Sequence, residues 1–287
     1  MYDLNSLRAE AERLAQLLPD PDVNFAARAT LHHGAAGRRR SGRGEQFWQY
    51  RRYAQTDAAE QVDWRRSARG DELFVRETEM ESARTFLFWS DPNPGFHWTS
   101  GNNHPAKSDR ANAILLSLAI KLAKSGERVG SFTQGRRTGM GRAAADRLAE
   151  DLFAKQPNVP MPQKHTMATV IASDFYDPIE AWQTRLHPIG QSCEQGVLFQ
   201  VRDPVETGFP FQGRTRFRKP GDDGRLTIGR AETLRDAYLE QLQIQQEAVQ
   251  SLAASMGWLF VEHTTNEAAE LGASRLHVTL SQFGLTI

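Results

Sequence analysis

Short apolar segments alternate with amphipathic segments from residue 85 onward, and this alternation is the feature that most limits the possible fold. Residues 85–90 (Thr-Phe-Leu-Phe-Trp-Ser) are apolar at nearly every position, which is typical of a strand buried on both faces of a parallel sheet. Residues 108–125 carry apolar side chains at helical spacing, and Gly126 follows them as a stop signal. Because such strands and helices repeat, the sequence predicts βαβ units and a doubly wound, mainly parallel sheet.

The same criteria assign the other elements of this α/β region. Ser108 or Asp109 is the expected N-cap of the first helix. Further strands are predicted at residues 128–133, 166–172, 196–201 and 258–261, and further helices at residues 142–154, 179–186, 232–256 and 266–271. Arginines alternate with Thr215 and Phe217 in a Gly- and Pro-rich segment, which predicts an inserted β-hairpin at about 205–228. Together these elements predict one domain over residues 85–287.

Residues 1–84 follow a different pattern and form a second predicted region. Leucines at helical spacing predict a helix over residues 3–18, and residues 32–46 are predicted to be a loop rich in Gly and Arg. Apolar and polar side chains alternate over residues 62–68, and a turn signal at Gly70 and Asp71 follows, which predicts a β-hairpin that begins with residues 62–68. We expect the helix, the arginine-rich loop and the hairpin to pack on the α/β domain.

Composition excludes several classes of protein. The chain has 287 residues, 39% of them apolar, and 35 Lys and Arg balance 35 Asp and Glu, so it is not disordered overall. The single cysteine, Cys193, excludes an internal disulfide and a zinc site made of several thiolates. The longest apolar stretch, near residues 113–120, is far shorter than the roughly 18 residues that a membrane helix needs. The first residues lack the apolar core of a secretory signal, so we expect a cytoplasmic protein.

The cations are mostly arginines, and they are unevenly distributed. Residues 34–76 contain ten arginines but only six acidic residues. One Gly-rich run contains Arg38, Arg39, Arg40 and Arg43. Arginine forms bidentate hydrogen bonds with carboxylates and phosphates, so this segment suits either an internal acidic strand or an anionic partner. The zero net charge argues against a dedicated nucleic-acid-binding protein. A nucleic-acid-binding adaptor that acts through this arginine loop stays open as an alternative.

The sequence contains no motif that indicates an enzyme. Residues 130–138 imitate a P-loop but lack its lysine, and residues 139–144 imitate a dinucleotide-binding fingerprint without directly following a strand. The histidines are scattered without a metal-ligand spacing, and no Gly-x-Ser-x-Gly elbow is present. We therefore interpret the glycines of residues 130–138 and 139–144 as ordinary loop glycines and not as parts of nucleotide sites.

Several short signature segments occur in a fixed order along the chain. They are residues 37–44, Phe47 with Arg51 and Tyr53, residues 62–69, residues 73–77, residues 172–175 and residues 201–206. In order and spacing these segments resemble a bacterial family catalogued as domain of unknown function 58. The resemblance covers about residues 30 to 285, nearly the whole chain.

The resemblance implies a fold and a kind of partner. Members of the family carry a von Willebrand factor A-like domain, a doubly wound α/β fold. They are typically encoded beside AAA+ ATPases of the MoxR class and are thought to act as their partners in assembly, maturation or stress responses. We therefore expect a protein-binding adaptor of a MoxR-type ATPase, with no enzymatic activity and no cofactor of its own.

Two sets of residues follow from the signature segments. The expected partner-binding surface consists of arginines and a tryptophan, because Arg and Trp are the residue types enriched at interface hot spots. Its members are Arg38, Arg39, Arg40, Arg43, Arg65, Arg69 and Trp64. Asp63, Ser67 and Asp203 are expected to be structural members of the signature, because an aspartate beside arginines usually pairs with them. A structural role is the alternative for Trp64 and Arg69 as well, because a tryptophan on an alternating strand usually packs.

The resemblance also implies a metal site, from which this sequence departs. Type A domains bind a divalent cation through an aspartate-x-serine-x-serine run after the first strand. Here Asp91 is retained, Asn93 offers an amide oxygen, Gly95 offers no side chain, and Asp174 matches the acid that usually supports the site. Because Mg²⁺ demands an octahedral shell of oxygen atoms, we expect this degenerate metal-ion-dependent adhesion site to bind it weakly, if at all. A metal-dependent enzyme or adhesion module that uses Asp91 and Asp174 is the alternative.

Overall fold

The structure is a computed structural model that describes most of the chain. The described residues are 3–19, 41–54, 62–68, 72–79, 83–101, 103–132, 137–154, 166–218, 220–221 and 224–282. The chain divides into two compact units: Met1–Phe25 with Arg84–Ile287, called here the α/β unit, and Ala26–Ala83, called the hairpin unit. The domain limits predicted from the sequence, residues 1–84 and 85–287, stay a prediction.

The helices and strands are as follows in chain order. They are α1 (Leu4–Leu17), β1 (Ser41–Arg52), α2 (Trp64–Ser67), β2 (Phe74–Glu79), β3 (Thr85–Ser90), α3 (Lys107–Lys124), β4 (Arg128–Ser131), α4 (Gly141–Phe153), β5 (Thr166–Ser173), α5 (Ile179–Ser192), β6 (Cys193–Arg202), α6 (Pro204–Gly208), β7 (Thr215–Arg218), β8 (Arg225–Ile228), α7 (Arg235–Ser255), β9 (Leu259–Thr264) and α8 (Ala269–Ser281). One turn of 3-10 helix, Ala231–Leu234, precedes α7.

Five parallel strands form the central sheet of the α/β unit in the order β4-β3-β5-β6-β9. Phe86 and Phe88 of β3 pack into a core with α1, α3, α4 and α8, whereas Leu87 and Trp89 pack on the other face against α5 and α7. Helices therefore cover both faces, which explains why β3 is buried at every position after Thr85. The predicted fold class, α/β with a doubly wound, mainly parallel sheet, is confirmed.

The predicted helices exist, but several of their boundaries differ. Helix α3 begins at Lys107 after the N-cap residue Ala106, so neither Ser108 nor Asp109 caps it. Loop carbonyls replace a side-chain cap, because the backbone N–H groups of Lys107 and Ser108 donate to the carbonyl oxygens of Trp98 and Phe96. Helices α5 and α8 run beyond their predicted ends because apolar side chains farther along them are buried in the two cores; these are Ile189, Leu276 and Leu280.

A β-hairpin lies within the segment predicted at about 205–228, but the start of that segment belongs to helix α6. Strands β7 and β8 pair antiparallel, with Thr215 opposite Ile228 and Arg218 opposite Arg225. No helix in the described part of the chain is both long enough and apolar enough to span a bilayer.

In the hairpin unit, the predicted hairpin is wrong in its first strand. Strand β1 pairs antiparallel with β2, and residues 64–67 form the short helix α2 instead of a strand. Asp63 caps this helix, since its side chain accepts a hydrogen bond from the backbone N–H of Arg66. This hydrogen bond stabilises a helical turn in a segment whose alternating pattern predicts a strand. Residues 41–46, predicted as loop, belong to β1. The rest of the predicted arginine-rich loop and the turn at Gly70 and Asp71 lie outside the described residues.

Candidate functional site

The candidate site lies at the carboxyl edge of the sheet, where the strand order reverses. Strand β3 has β4 on one side and β5 on the other, and Asp91 and Asp174 directly follow β3 and β5. Doubly wound sheets bind ligands at this position. A Cβ atom added at Gly95 would lie 3.4 Å from Asn93 Oδ1 and 3.6 Å from Asp174 Oδ2. The structure therefore brings Asp91, Asn93 and Asp174 into one small region.

Asp91 is buried and fully engaged by its own loop and the neighbouring strand. Its Oδ2 accepts a hydrogen bond of 2.6 Å from Ser173 Oγ, and its Oδ1 accepts one of 2.9 Å from the Asn93 N–H. The Asn93 side chain in turn accepts the Gly95 N–H at 2.9 Å. Burial raises the pKa of Asp91, while the hydrogen bond from Ser173 opposes the rise. The side-chain oxygens of Asp91 and Asn93 thus hold the loop after β3 in place.

Lys107 supplies the positive charge of this region. Its Nζ donates to Asp174 Oδ2 at 2.9 Å and to Glu206 Oε1 at 2.6 Å, and the side chain is only 1% exposed. The ammonium also lies 5.0 Å from the centre of the Tyr176 ring. A cation in the first turn of α3 is disfavoured by the helix dipole, and a buried ammonium is costly to desolvate. Two carboxylates in direct contact offset both effects.

Helix α6 places Glu206 beside Lys107. Asp203 is buried and caps α6, since its Oδ1 accepts the Val205 N–H at 2.9 Å, while Glu206 Oε2 accepts the Asp203 N–H at 3.0 Å. The second oxygen of Asp203 accepts the Ser100 N–H at 2.9 Å, which links α6 to the loop before α3. Burial raises the pKa of Glu206 above its usual value, and the ammonium of Lys107 offsets only part of that rise.

Two tyrosines border Glu206 and stay protonated near neutral pH. The Tyr176 hydroxyl donates to Glu206 Oε2 at 3.3 Å, although 36% of the residue reaches solvent. Burial of the hydroxyl, followed by the negative charge of Glu206, raises the pKa of Tyr176. The same two causes raise the pKa of Tyr238 to about 12. Neither phenol is therefore an activated nucleophile.

The described residues at this edge do not fit a divalent cation. Mg²⁺ requires several oxygen ligands in near-octahedral geometry, so it would compete with the hydrogen bonds that already hold the oxygens at this edge in place. Both oxygens of Asp91 and the amide oxygen of Asn93 accept protein hydrogen bonds, and Asp174 Oδ2 is in contact with the ammonium of Lys107. A second cation beside that ammonium would be repelled. Among the residues that the structure describes, no cluster of three or more His, Cys, Asp or Glu side chains is arranged to hold a metal ion.

The expected partner-binding residues belong to the hairpin unit. Trp64 is 62% exposed, and Arg65 beside it is exposed as well. Arg43 lies in β1. The remaining members, Arg38, Arg39, Arg40 and Arg69, lie outside the described residues. The structure therefore places one aromatic and one cationic side chain of the predicted surface next to each other in solvent.

Asp63 and Ser67 fix the short helix that carries this exposed pair. Asp63 accepts the Arg66 N–H at 3.0 Å and the Tyr50 hydroxyl at 3.2 Å, and its own N–H donates to the Phe74 carbonyl at 2.8 Å. Ser67 Oγ accepts the Phe74 N–H at 2.9 Å. Because both ends of α2 are bonded to neighbouring elements, Trp64 is held outward on a short, fixed turn.

Sequence reasoning missed Lys107 and the way Glu206 meets it. Two signals were present in the sequence. The run from Asp203 to Glu206 has the Asp-Pro-x-Glu pattern of a capping box with proline at the first helical position. Lys107 precedes Ser108 at the start of a predicted helix, where acidic residues are favoured, and a cation there calls for a carboxylate partner.

One comparison with known proteins identifies a family without an established function. A family model described as "Protein of unknown function DUF58" matches residues 49–248. No curated protein matches the chain. The solved structures that match include an aerotolerance-related membrane protein from Bacteroides fragilis, crystallised with multiple mutations to serine. It is 13% identical, the match covers 70% of this chain and 100% of that one, and the TM-score is 0.39. Another is the conserved hypothetical protein BatB from Bacteroides thetaiotaomicron, 13% identical over 70% of this chain and 98% of that one, with a TM-score of 0.37.

Proposed function

The chain belongs to the family of proteins of unknown function DUF58, and we propose that it acts as a non-enzymatic adaptor that docks on a protein partner. The observation that carries the proposal is the buried contact of Lys107 with Asp174 and Glu206. At the edge where doubly wound enzymes keep a substrate site, the charged groups are paired with each other. Among the described residues, such an edge offers a fixed surface to a partner, and its acidic side chains are bonded to neighbouring groups instead of being free for a substrate.

The proposed partner is an AAA+ ATPase of the MoxR class. This part of the proposal rests on the signature segments, which resemble those of proteins encoded beside such ATPases. The partner would supply the ATP hydrolysis for which this sequence has no motif. A cytoplasmic location is part of the proposal, because the ATP that such a partner consumes is found there. The von Willebrand factor A-like character of the domain is likewise proposed from the resemblance.

The metal-dependent alternative is not favoured by the contacts at the sheet edge. An enzyme or adhesion module using Asp91 and Asp174 would need their oxygens free for a cation, and the ammonium of Lys107 is bonded to Asp174. No described residue favours the nucleic-acid alternative through residues 38–43 over a protein partner.

A pull-down from the source cell tests the proposal. The full chain is immobilised and incubated with lysate with and without ATP and Mg²⁺, and the recovered proteins are identified by mass spectrometry. We expect an AAA+ ATPase whose recovery depends on the nucleotide. In the double variant Trp64→Ser with Arg65→Ser, recovery is expected to fall about tenfold or more, because exposed Trp and Arg are the residue types that dominate interface energetics.

A matched control removes the same kinds of side chain elsewhere. Val278 is an exposed apolar residue and Lys124 an exposed cation, both in the α/β unit. The double variant Val278→Ser with Lys124→Ser should recover the ATPase as well as the unaltered chain does. The proposal is wrong if the unaltered chain recovers no AAA+ ATPase under any nucleotide condition, or if both double variants lose it equally.

A further inference from the structure

The inserted hairpin of the α/β unit carries a dense set of exposed arginines. The segment from residue 214 to residue 230, with strands β7 and β8, is called here the basic ribbon. Its exposed cations are Arg214, Arg216, Arg218, Arg225 and Arg230. Among the described residues, none of these five arginines has a carboxylate within ion-pair distance. Among those residues, the cations of the basic ribbon are therefore not used in ion pairs that hold the fold together.

One face of the basic ribbon is anchored by aromatic packing. The half-buried Phe217 ring lies 5.0 Å from that of Phe211 and 6.0 Å from that of Phe209, measured between ring centres. Phe209 is buried and also lies 4.8 Å from Tyr238 of α7. Because side chains alternate along a strand, this packing turns Arg216 and Arg218 to the opposite, solvent-exposed face.

The solvent face brings like charges together. Arg218 lies directly opposite Arg225 across the two strands, and Arg216 lies opposite Thr227. Like charges at directly opposed positions destabilise a strand pair. The arrangement therefore destabilises the strand pair in the unbound protein, and an anion bound between the two guanidinium groups would relieve the repulsion.

The basic ribbon reaches the candidate site at the sheet edge. Its turn contains Gly221, which has a φ of +79°, and a Cβ atom there would come within 2.9 Å of Pro94 Cγ. Pro94 belongs to the loop after β3 that also carries Asn93. At its other end the ribbon follows Phe209, the C-cap residue of α6, whose Glu206 contacts Lys107. The ribbon and the site thus form one continuous surface of the α/β unit.

We infer that the basic ribbon binds an extended, acidic segment of the protein partner, with carboxylates at alternate positions. Arg216 and Arg218 are two residues apart in a strand, which places them about 6.6–6.8 Å apart along it. Alternate residues of an extended segment have the same spacing, so two carboxylates can meet the two arginines in register. Guanidinium groups bind carboxylates in bidentate geometry, which favours this pairing. The inference rests on the proposed function, since it names the chemistry by which the partner is recognised.

Nucleic acid is a less suitable occupant of the same surface. Proteins that bind single strands without sequence preference stack bases on exposed aromatic rings. Here the rings of Phe209, Phe211 and Phe217 are packed against one another on the anchored face. The zero net charge of the chain also provides no broad positive field to attract a long polyanion.

A peptide-binding measurement tests the inference without the ATPase. The probe is a fluorescent peptide of alternating Glu and Thr, compared by anisotropy with a peptide of the same composition in which the glutamates are grouped. Oligo-dT and phosphatidylserine vesicles serve as the competing anionic probes. We expect the full chain to bind the alternating peptide best, with an affinity that falls as salt is raised. The triple variant Arg216→Ser, Arg218→Ser and Arg225→Ser should weaken this binding about tenfold or more.

The control variant removes three exposed cations outside the ribbon: Lys124→Ser, Arg128→Ser and Arg147→Ser. It changes the net charge equally and should leave peptide binding within about twofold of the unaltered chain. The inference is overturned if no acidic peptide binds, if both triple variants weaken binding equally, or if oligo-dT or vesicles bind more tightly through the ribbon. Recovery of the ATPase in the pull-down is independent of these outcomes, so failure of the peptide result and failure of the adaptor proposal are distinguishable.

Discussion

Lys107 is the residue on which the candidate site depends most. Its ammonium lies in the first turn of α3, 1% exposed, between carboxylates from the β5–α5 loop and from α6. Desolvation of three charges is costly, and Coulomb attraction repays it only when the geometry is good and the other oxygens are bonded. The second oxygens of Asp174 and Glu206 meet that condition, since they accept hydrogen bonds from the Tyr176 N–H and the Asp203 N–H.

Removing the ammonium is therefore expected to destabilise the fold. Lys107→Met keeps the length of the side chain but leaves Asp174 and Glu206 buried without their cation. Breaking a buried pair in this way costs about 3–5 kcal/mol. Urea unfolding followed by circular dichroism measures the change. Lys124→Met, at an exposed position of the same helix, should shift the unfolding free energy by less than about 0.5 kcal/mol. Similar small changes in both variants would contradict the assignment.

The same geometry predicts that the protein does not use a divalent cation at this edge. Titration of the unaltered chain with Mg²⁺ or Mn²⁺ in a calorimeter should show no saturable heat, because the oxygens of Asp91, Asn93 and Asp174 are already bonded. The thermal midpoint should also be unchanged by EDTA. Micromolar binding that disappears in Asp91→Ala would show instead that the loop rearranges to take up a metal.

The composition of this site was only partly predictable from the sequence. Asp91 and Asp174 were predicted because the family resemblance implies a metal site whose acids follow the first and third strands of the α/β region. Lys107 was not, because its contact with Glu206 spans 99 positions of the chain and no local pattern encodes such a distance. Lys107 reaches the carboxylates only because the loops pack together and bury them. The sequence therefore predicted candidate metal ligands, but it did not predict that Lys107 would bind one of them.

At the scale of elements, local hydrogen bonds determine the secondary structure where the alternating sequence pattern gives the wrong prediction. Residues 62–68 alternate like a strand, yet α2 forms because Asp63 accepts the Arg66 N–H and Ser67 accepts the Phe74 N–H. A four-residue helix is too short for its own periodicity to appear in the sequence. Strand β3 and helix α3, by contrast, are buried along most of their length, and their apolar patterns predicted them well.

The basic ribbon allows a prediction about a single element. Arg225→Glu replaces the like-charge pair opposite Arg218 with an opposite-charge pair. The strand pair is expected to gain about 0.2–1 kcal/mol or somewhat more, since repulsion is removed as well. Hydrogen exchange of the backbone amides of β7 and β8 should slow correspondingly. Arg230→Glu makes the same change of charge outside the strands and should leave exchange in the ribbon unaltered. Faster exchange in Arg225→Glu would mean that the two arginines do not repel each other.

At the scale of the whole molecule, strand content followed from the sequence but strand order did not. Alternating apolar segments predict parallel strands, whereas the order β4-β3-β5-β6-β9 depends on which strands meet after the helices have packed. Strand β9 joins β6 at the far edge, and this pairing buries His263 between Phe199 of β6 and Gly272 of α8. The order of strands thereby buries a titratable side chain, His263, that no sequence motif predicts to be buried.

This histidine should make the whole fold sensitive to mild acid. His263 is 1% exposed, and burial, followed by the positive charge of Arg110, lowers its pKa from 6.5 to about 4, although Glu267 opposes the shift. Because the folded pKa lies below the unfolded one, the unfolded chain binds the extra proton. Stability contributed by neutral His263 is complete above about pH 6.5 and is lost as the pH falls towards 4, by up to about 3 kcal/mol. Urea unfolding between pH 7.5 and pH 4.5 should show this loss, and His263→Gln should flatten the dependence in that window. Equal pH dependence in the two proteins would mean that other titratable groups govern the acid response.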